Sequence, residues 1–232
     1  MTMLADLGPL DYVAFTLLFA AWAGYEWLGS RAAARGRNLA AHMKVWRERW
    51  MEAVLERDNR ILDVQIIRSL VGNSSFLAST SIFVIGGLAA VLGASAEIVP
   101  LLNKFDYFAA TTQNRFGVKV LLLMLIFMHA FFRLAWSMRL HNNAAVVLGS
   151  IPQPGNPATA VEAEAYAQIT ARLVTLAARH YNAGTHAYYF GLAAVAWFIH
   201  PVALMATTVW VVAILYRREF LSRAHAVLRT EE

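Results

Sequence analysis

The stretch AWFIHPVALMA, residues 196–206, lies near the centre of the apolar tract that decides the fold. The tract runs from Ala187 to Tyr216 without a Lys, Arg, Asp or Glu. As a single helix it would be about 45 Å long, whereas the hydrocarbon core of a bilayer is about 30 Å thick. Pro201 removes a helical hydrogen bond and disfavours helical geometry at His200. We therefore predict a break at His200–Pro201 at which the chain turns back, with one kinked crossing as the alternative.

Three earlier apolar blocks extend this pattern over the rest of the chain. They cover residues 9–28, 74–95 and 117–138, and each has about the 20 residues that a membrane-spanning helix needs. Of the 232 residues, 59% are hydrophobic, compared with about 45–50% in soluble domains. We therefore predict an all-α integral membrane protein that forms a single helical domain over 1–232. Its four membrane-embedded elements are these three spans and the broken tract 187–216.

A first amphipathic helix is predicted at 38–70, on the cytoplasmic side. Its apolar side chains, which include Trp46 and Trp50, recur every three or four residues and so share one helix face. This face either packs against the rest of the protein or lies in the headgroup layer with both indoles inserted.

A second amphipathic cytoplasmic helix is predicted at 159–182. It follows the loop GSIPQPGNP (149–157) and ends before Gly184, a natural C-terminal cap. On this interpretation His180 and His186 flank a loop.

The basic residues are distributed unevenly among the connections. The segment 29–73 contains nine Lys/Arg, the segment 96–116 contains two, and none precedes Arg31. Cytoplasmic connections of membrane proteins carry the excess of Lys and Arg. We therefore predict that the N-terminus is outside and that 29–73 is cytoplasmic, in the inner membrane of a bacterium. The same rule accounts for the net charge of +5 without a nucleic-acid partner.

No sequence motif indicates catalysis or a bound metal. The chain has no cysteine, which excludes disulfides, iron–sulfur clusters and thiolate metal sites. Nucleophile elbows, Walker loops, dinucleotide fingerprints and zincin patterns are also absent. We therefore predict no catalytic residue, no metal site and no cofactor, and the sequence gives no positive support for an enzyme.

Ionisable residues within or at the edges of the apolar blocks are the candidates for function, because such residues are rare in membrane segments and often line pathways. The candidates for a solute pathway or a lipid contact are Glu26, His129, Arg133, Arg139 and His200. A b-type haem needs two histidines on facing helices, so His129 and His200 also form a hypothetical haem pair. Hydrogen bonds across helices, and arginines that snorkel to the headgroups, are the structural alternatives.

The second apolar block carries a stripe of small residues, Ser79, Gly86, Ala90 and Gly93. Lipid gives helices no hydrophobic drive to associate, so small residues that allow close approach provide packing faces. The stripe is predicted to pack against another helix of the same chain or against a second copy.

These features predict a non-enzymatic membrane protein that self-associates as a channel or small transporter. An accessory or scaffold subunit of a larger membrane complex is the alternative, and a haem-binding membrane protein is the third hypothesis. The expected partners are the lipid bilayer and either copies of the chain or other membrane proteins.

Four segments resemble, in the same order, a family of bacterial and plant multispanning membrane proteins known only as a domain of unknown function. They are RWMEAVLERDNRILDVQIIRSL (49–70), FLASTSIFVIGGLAAVL (76–92), FFRLAWSMRLHNN (131–143) and AYYFGLAAVAWFIHPVALMATTVWVVAILYRREF (187–220). A Gly-Pro often stands in that family where this chain has His200–Pro201. The resemblance therefore implies a real break there and argues against a family-wide ligand role for His200. It implies a multispanning membrane protein and transfers no catalytic residue.

Overall fold

The computed structural model describes residues 6–105, 111–155 and 157–229. It is 88% helix, and the described residues contain no strand, which confirms the all-α prediction. The helices are α1 (Pro9–Ala34), α2 (Leu39–Leu55), α3 (Ile61–Gly93), α4 (Ser95–Leu102), α5 (Gln113–Ser150), α6 (Ala160–Val195), α7 (Pro201–Phe220) and α8 (Arg223–Arg229). Short 3-10 turns at Pro157–Thr159 and Ala196–Phe198 precede α6 and α7.

Within the described residues, three helical stretches are long and apolar enough to cross a membrane. They are Ile61–Gly93, Gln113–Ser150 and Pro201–Leu228. The first predicted span, 9–28, lies within α1, which is not one of the three. The acids Asp11 and Glu26 lower the hydropathy of α1 and account for this difference. The membrane character of the chain therefore rests on α3, α5 and α7.

The boundary between the first amphipathic segment and the second apolar block differs from the prediction. The segment 38–70 is not one helix, because α2 ends at Leu55 and α3 begins at Ile61. The side chain of Asn59 accepts the Ile61 backbone N–H at 2.9 Å, which starts the new helix inside a polar turn. No proline interrupts the chain between Ile61 and Gly93, so the second half of the predicted amphipathic helix continues directly into the apolar block.

The second amphipathic helix does not end at Gly184. Instead α6 continues through this position to Val195, and α5 likewise extends past the predicted end of its span to Ser150. A glycine in a helix interior costs about 1 kcal/mol relative to alanine. Ala183 and Gly184 are both buried, so packing of this narrow part of α6 outweighs that cost. His180 and His186 consequently lie on a helix and not beside a loop.

The apolar tract is broken at the predicted place, because α7 begins at Pro201 after a 3-10 turn. Proline suits a first helical position, where an N–H would have no partner within the helix. The Nδ1 atom of His200 accepts the backbone N–H of Val202 at 3.2 Å. His200 therefore caps α7 by satisfying one of the donors that a helix start leaves open.

After the break, α7 runs antiparallel to the end of α6. The hydroxyl of Thr207 donates to the Ala193 carbonyl at 3.1 Å, and the Arg218 guanidinium donates to the Tyr189 hydroxyl at 2.5 Å. From one contact to the next, the residue number on α7 increases while that on α6 decreases. The two helices therefore form an antiparallel hairpin. With 20 residues, α7 has the length of about 30 Å that a hydrocarbon core requires.

The described residues cluster into two compact units. Unit 1 takes those within Met1–Ser30, Thr80–Phe131 and Thr185–Arg218, and unit 2 takes those within Arg31–Ser79, Phe132–Gly184 and Glu219–Glu232. The core of unit 1 includes Leu18, Phe190 and Trp197, whereas that of unit 2 includes Met51 and Val54. The sequence ranges of unit 1 hold five basic and five acidic residues, and those of unit 2 hold fifteen and ten. The entire net charge therefore belongs to unit 2.

Candidate functional site

A buried polar cluster in unit 1 involves α1, α5 and the 3-10 turn before α7. Asp11 is 6% exposed and Lys119 is 5% exposed. The indole Nε1 of Trp197 donates to Asp11 Oδ1 at 2.7 Å, and Lys119 Nζ donates to the Trp197 carbonyl at 2.8 Å. Two opposite charges are therefore buried together and linked through one tryptophan.

The helix break explains why a lysine lies in this cluster. The last carbonyls of a helix have no partner within the helix, and a buried carbonyl without a hydrogen bond costs about 1–3 kcal/mol. Lys119 supplies the donor at this point, and its ammonium lies 5.4 Å from the centre of the Trp197 ring. The cluster thus stabilises the turn that redirects the chain from α6 into α7.

Glu26, a predicted pathway residue, is paired with His186 of α6. The His186 Nδ1 and Glu26 Oε1 atoms are 2.8 Å apart, and the two side chains are 20% and 36% exposed, respectively. The ring of Tyr25 lies edge-on to His186, with the centroids 5.0 Å apart. The pair is therefore half-buried within unit 1.

The two histidines of the haem hypothesis have different surroundings. His129 is an exposed residue of α5 and lies edge-on to Trp22, with the ring centroids 5.6 Å apart. His200 is exposed at the break and uses Nδ1 to cap α7. Among the described residues no group of three or more His, Asp or Glu is placed to hold a metal ion. Haem binding stays a prediction, and the visible absorption spectrum of the purified protein tests it.

Arg133 and Arg139 of α5 lie in unit 2, close to aromatic rings. The Arg133 guanidinium is 3.3 Å from His180 Nδ1, and the Arg139 guanidinium is 6.0 Å from the centre of the Trp136 ring. Burial lowers the pKa of His180 from its usual 6.5, and the positive charge of Arg133 lowers it further. His180 is therefore mostly neutral at physiological pH. A pathway or lipid role for the two arginines stays a prediction.

The two predicted membrane-surface tryptophans, both on α2, contact residues of unit 2. Trp50 Nε1 donates to Oδ1 of the fully buried Asp63 at 2.7 Å, and Arg57 pairs with the same oxygen at 2.5 Å. Trp46 is half-buried and carries the Arg49 guanidinium 4.9 Å from its ring centre. These contacts support packing of α2 within the unit, and insertion of the indoles into the headgroup layer stays a prediction.

Unit 2 also contains an open cavity of about 460 Å³ lined by residues of α2, α3, α5 and α6. Its walls carry Trp46, Trp50 and Tyr181 together with the basic side chains of Arg47 and His141. His141 is only 2% exposed, and neither of its ring nitrogens has a hydrogen-bond partner. The cavity therefore combines an aromatic lining with a polar group that the chain itself leaves unsatisfied.

The small-residue stripe lies on an uncovered face of α3. Ser79, Gly86, Ala90 and Gly93 are all exposed, and a Cβ added at either glycine would meet nothing within 4 Å. Only 11% of the most apolar window of α3 is buried. The described part of the chain therefore leaves this face open to lipid or to another protein.

Sequence reasoning did not select Lys119, Trp197, Arg47 or His141. Lys119 had a detectable signal, because a lysine inside the apolar block 117–138 is as unusual as the histidine that was selected there. Arg47 and His141 are far apart along the chain, and no spacing rule predicts that they share a cavity.

The described residues thus form an all-helical protein with three helices that are long and apolar enough to cross a membrane. It belongs to the family described as "Protein of unknown function, DUF599", whose model matches residues 13–224. This match confirms the resemblance to a domain-of-unknown-function family. No significant match was found among curated proteins or among solved structures.

Proposed function

We propose that the protein self-associates in the membrane and gives a small solute a route across it, as a channel or small transporter. The observation that supports this proposal is the exposure of His129 within the apolar part of α5. Ionisable side chains in membrane segments normally face other protein or a water-filled space, because contact with lipid is unfavourable. A second copy of the chain on this surface provides such surroundings and places His129 beside a polar route.

The open stripe on α3 supports a close helix–helix contact between copies. Gly86 and Gly93 have free space above their Cα atoms, and Ala90 lies between them. Small residues let two membrane helices approach closely enough for dispersion and Cα–H contacts to hold them. We therefore place the seam between copies at this stripe.

The self-association is tested by light scattering on purified protein in detergent. A mass at a multiple of 25.8 kDa is expected for the wild type, and Gly86→Leu should shift it towards the monomer. Gly87→Leu is the matched control, because Gly87 is also exposed with nothing within 4 Å but lies about 100° further round the helix. A monomeric wild type, or equal effects of the two substitutions, would contradict the seam.

Transport is tested by solute flux or current through the purified protein in liposomes. His129→Ala and Glu26→Ala should each change the flux several-fold if these side chains line the route. Lys44→Ala is the control, because Lys44 is exposed on α2 and pairs only with its helix neighbour Glu48 at 3.6 Å among the contacts of the described chain. Flux that is unchanged in both test variants would remove these residues from any pathway.

We also propose that the N-terminus is outside and that 29–73 is cytoplasmic, in a bacterial inner membrane. The nine basic residues of 29–73, against two in 96–116, support this orientation through the positive-inside rule. The hairpin of α6 and α7 supports it further, since a turn-back returns Arg217, Arg218 and the basic tail to the side of 29–73.

An accessory or scaffold role is the second candidate, and an acidic groove in unit 2 favours it. The groove has a volume of about 260 Å³, and residues of α2 and α6 line it, including three acids, Glu48, Glu52 and Glu164, and one base, Arg172. Such a lining suits a basic segment of a partner protein. A pulldown in mild detergent separates the two roles, because stable foreign subunits support the scaffold and a single band supports self-association.

A further inference from the structure

The open cavity of unit 2 has one charged corner. Arg47 and His141 both line it, and the guanidinium acts electrostatically on the imidazole. The backbone carbonyl of Ser137, one turn before His141, interacts electrostatically with the ring but forms no hydrogen bond with either ring nitrogen. Two basic side chains therefore face the same space while the imidazole is left without a partner.

The charge of this corner is not neutralised by the protein. None of the residues that line the cavity is an Asp or a Glu, and no ion pair to Arg47 is found within the described ranges. Partial burial of the Arg47 guanidinium lowers its pKa from the usual value. Arg47 is half-buried, and an anion from outside the chain would stabilise its guanidinium through charge-assisted hydrogen bonds.

The remaining walls are mostly apolar and aromatic. Leu70, Val174 and Ala178 provide aliphatic surface, and the Trp46 and Trp50 indoles provide flat faces. The volume of about 460 Å³ falls within the usual range of small-molecule sites, which are apolar pockets with a few convergent polar groups. An inorganic anion alone would leave this apolar surface in contact with water.

We propose that this cavity binds an amphiphilic anion, with its carboxylate or phosphate between Arg47 and His141 and an aliphatic chain along the apolar walls. The inference is independent of the channel proposal, because it concerns a site in unit 2 and needs neither self-association nor transport. The anionic head can come from a free fatty acid or from a membrane phospholipid, and both present the same chemistry to the site.

The test is native mass spectrometry of the full-length protein released from a neutral maltoside detergent, with one probe added at a time. Oleate provides a charge with a chain, oleyl alcohol the chain alone, and inorganic phosphate the charge alone. Phosphatidylglycerol and phosphatidylcholine form the lipid arm, anionic and zwitterionic. We expect one retained molecule of oleate or phosphatidylglycerol, at least tenfold above the three other probes.

Four variants locate the site. Arg47→Gln should reduce oleate retention at least tenfold and His141→Gln several-fold, whereas Lys44→Gln, which removes an exposed charge from the same helix, should leave it unchanged. Ala178→Trp fills the apolar part without touching a charge and should also abolish retention. If Arg47→Gln fails to fold in a thermal unfolding control, Ala178→Trp still decides the question.

The results identify the source of the ligand and test the proposal itself. Retention of oleate alone indicates a free fatty acid, and retention of phosphatidylglycerol indicates a membrane lipid, and both support the site. Wild-type retention in Arg47→Gln and Ala178→Trp would overturn it. If oleyl alcohol is retained as strongly as oleate, the anionic part of the proposal is wrong. If inorganic phosphate is retained as strongly as oleate, the proposed role of the aliphatic chain is wrong.

Discussion

Three ionisable residues of this protein, two of them buried, stabilise its backbone at the helix break. Lys119 is held among apolar helices because the break before Pro201 leaves the Trp197 carbonyl without a helical partner. Asp11 offsets the lysine charge and accepts the indole N–H of Trp197. His200, a candidate haem ligand in the sequence analysis, uses one ring nitrogen to cap the start of α7. Local geometry therefore explains the positions of these three side chains without any solute.

We predict that Lys119→Met destabilises the protein strongly. Removal of one partner from a buried charged pair costs about 3–5 kcal/mol, because the other charge is left uncompensated. Unfolding in detergent, followed by circular dichroism as denaturant is added, measures the loss. Lys104→Met, at an exposed lysine, should change the free energy of unfolding by less than about 0.5 kcal/mol. The double variant Asp11→Asn/Lys119→Met should recover part of the loss, and purely additive effects would contradict the pairing.

We predict that acidification below about pH 6.5 destabilises the fold through His180. Burial and the nearby Arg133 lower the pKa of His180, so the folded state resists protonation more than the unfolded chain does. The stabilising contribution is therefore complete above the unfolded pKa and is lost as the pH falls towards the folded one. Midpoints of thermal unfolding at pH 7.5 and pH 5.0 measure the effect. His180→Gln should reduce the difference between the two midpoints, and an unchanged difference would contradict this assignment.

Glycines have two opposite uses in the helices of this chain. Gly86, Gly87 and Gly93 leave open space on α3, whereas Gly191 lets α6 approach α5. A Cβ at Gly191 would lie 3.1 Å from the ring of Phe127. The same residue type therefore marks an exposed face in one helix and a tight contact in another.

We predict that Gly191→Leu destabilises the protein by about 1–3 kcal/mol, because overpacking a close contact forces the neighbouring ring and backbone to shift. Gly87→Leu is the matched control. It removes a helix-weakening glycine at an open position and should leave stability unchanged or slightly raised. Thermal unfolding of the two variants in one detergent provides the comparison. A neutral Gly191→Leu would show that α5 and α6 are further apart than the structure places them.

The whole molecule has a strong asymmetry of charge along its sequence. The ranges of unit 1 are neutral overall, and those of unit 2 carry the net +5. In a membrane protein such an excess orients the helices. The proposed orientation therefore rests on the charge of the entire chain and not on a single span.

We predict that a cysteine at Lys104 is labelled in intact cells and that a cysteine at Gln153 is labelled only after the membrane is permeabilised. The chain has no native cysteine, so each substitution reports one position, and both side chains are exposed. A membrane-impermeant maleimide followed by gel shift gives the result. The reverse pattern would invert the proposed orientation, and labelling of both in intact cells would exclude a span between them.

The sequence by itself determined the class of this protein, its family resemblance and the break at His200–Pro201. These depend on local properties, namely runs of apolar residues and the geometry of proline, and they do not require knowledge of distant contacts. The tertiary structure decided where the helices end and which charges meet. Gly184 lies inside α6 because its surroundings are packed, and Arg47 shares a cavity with His141 because α2 and α5 pack in one unit. Both outcomes depend on residues far apart in the chain, which periodicity and hydropathy do not encode.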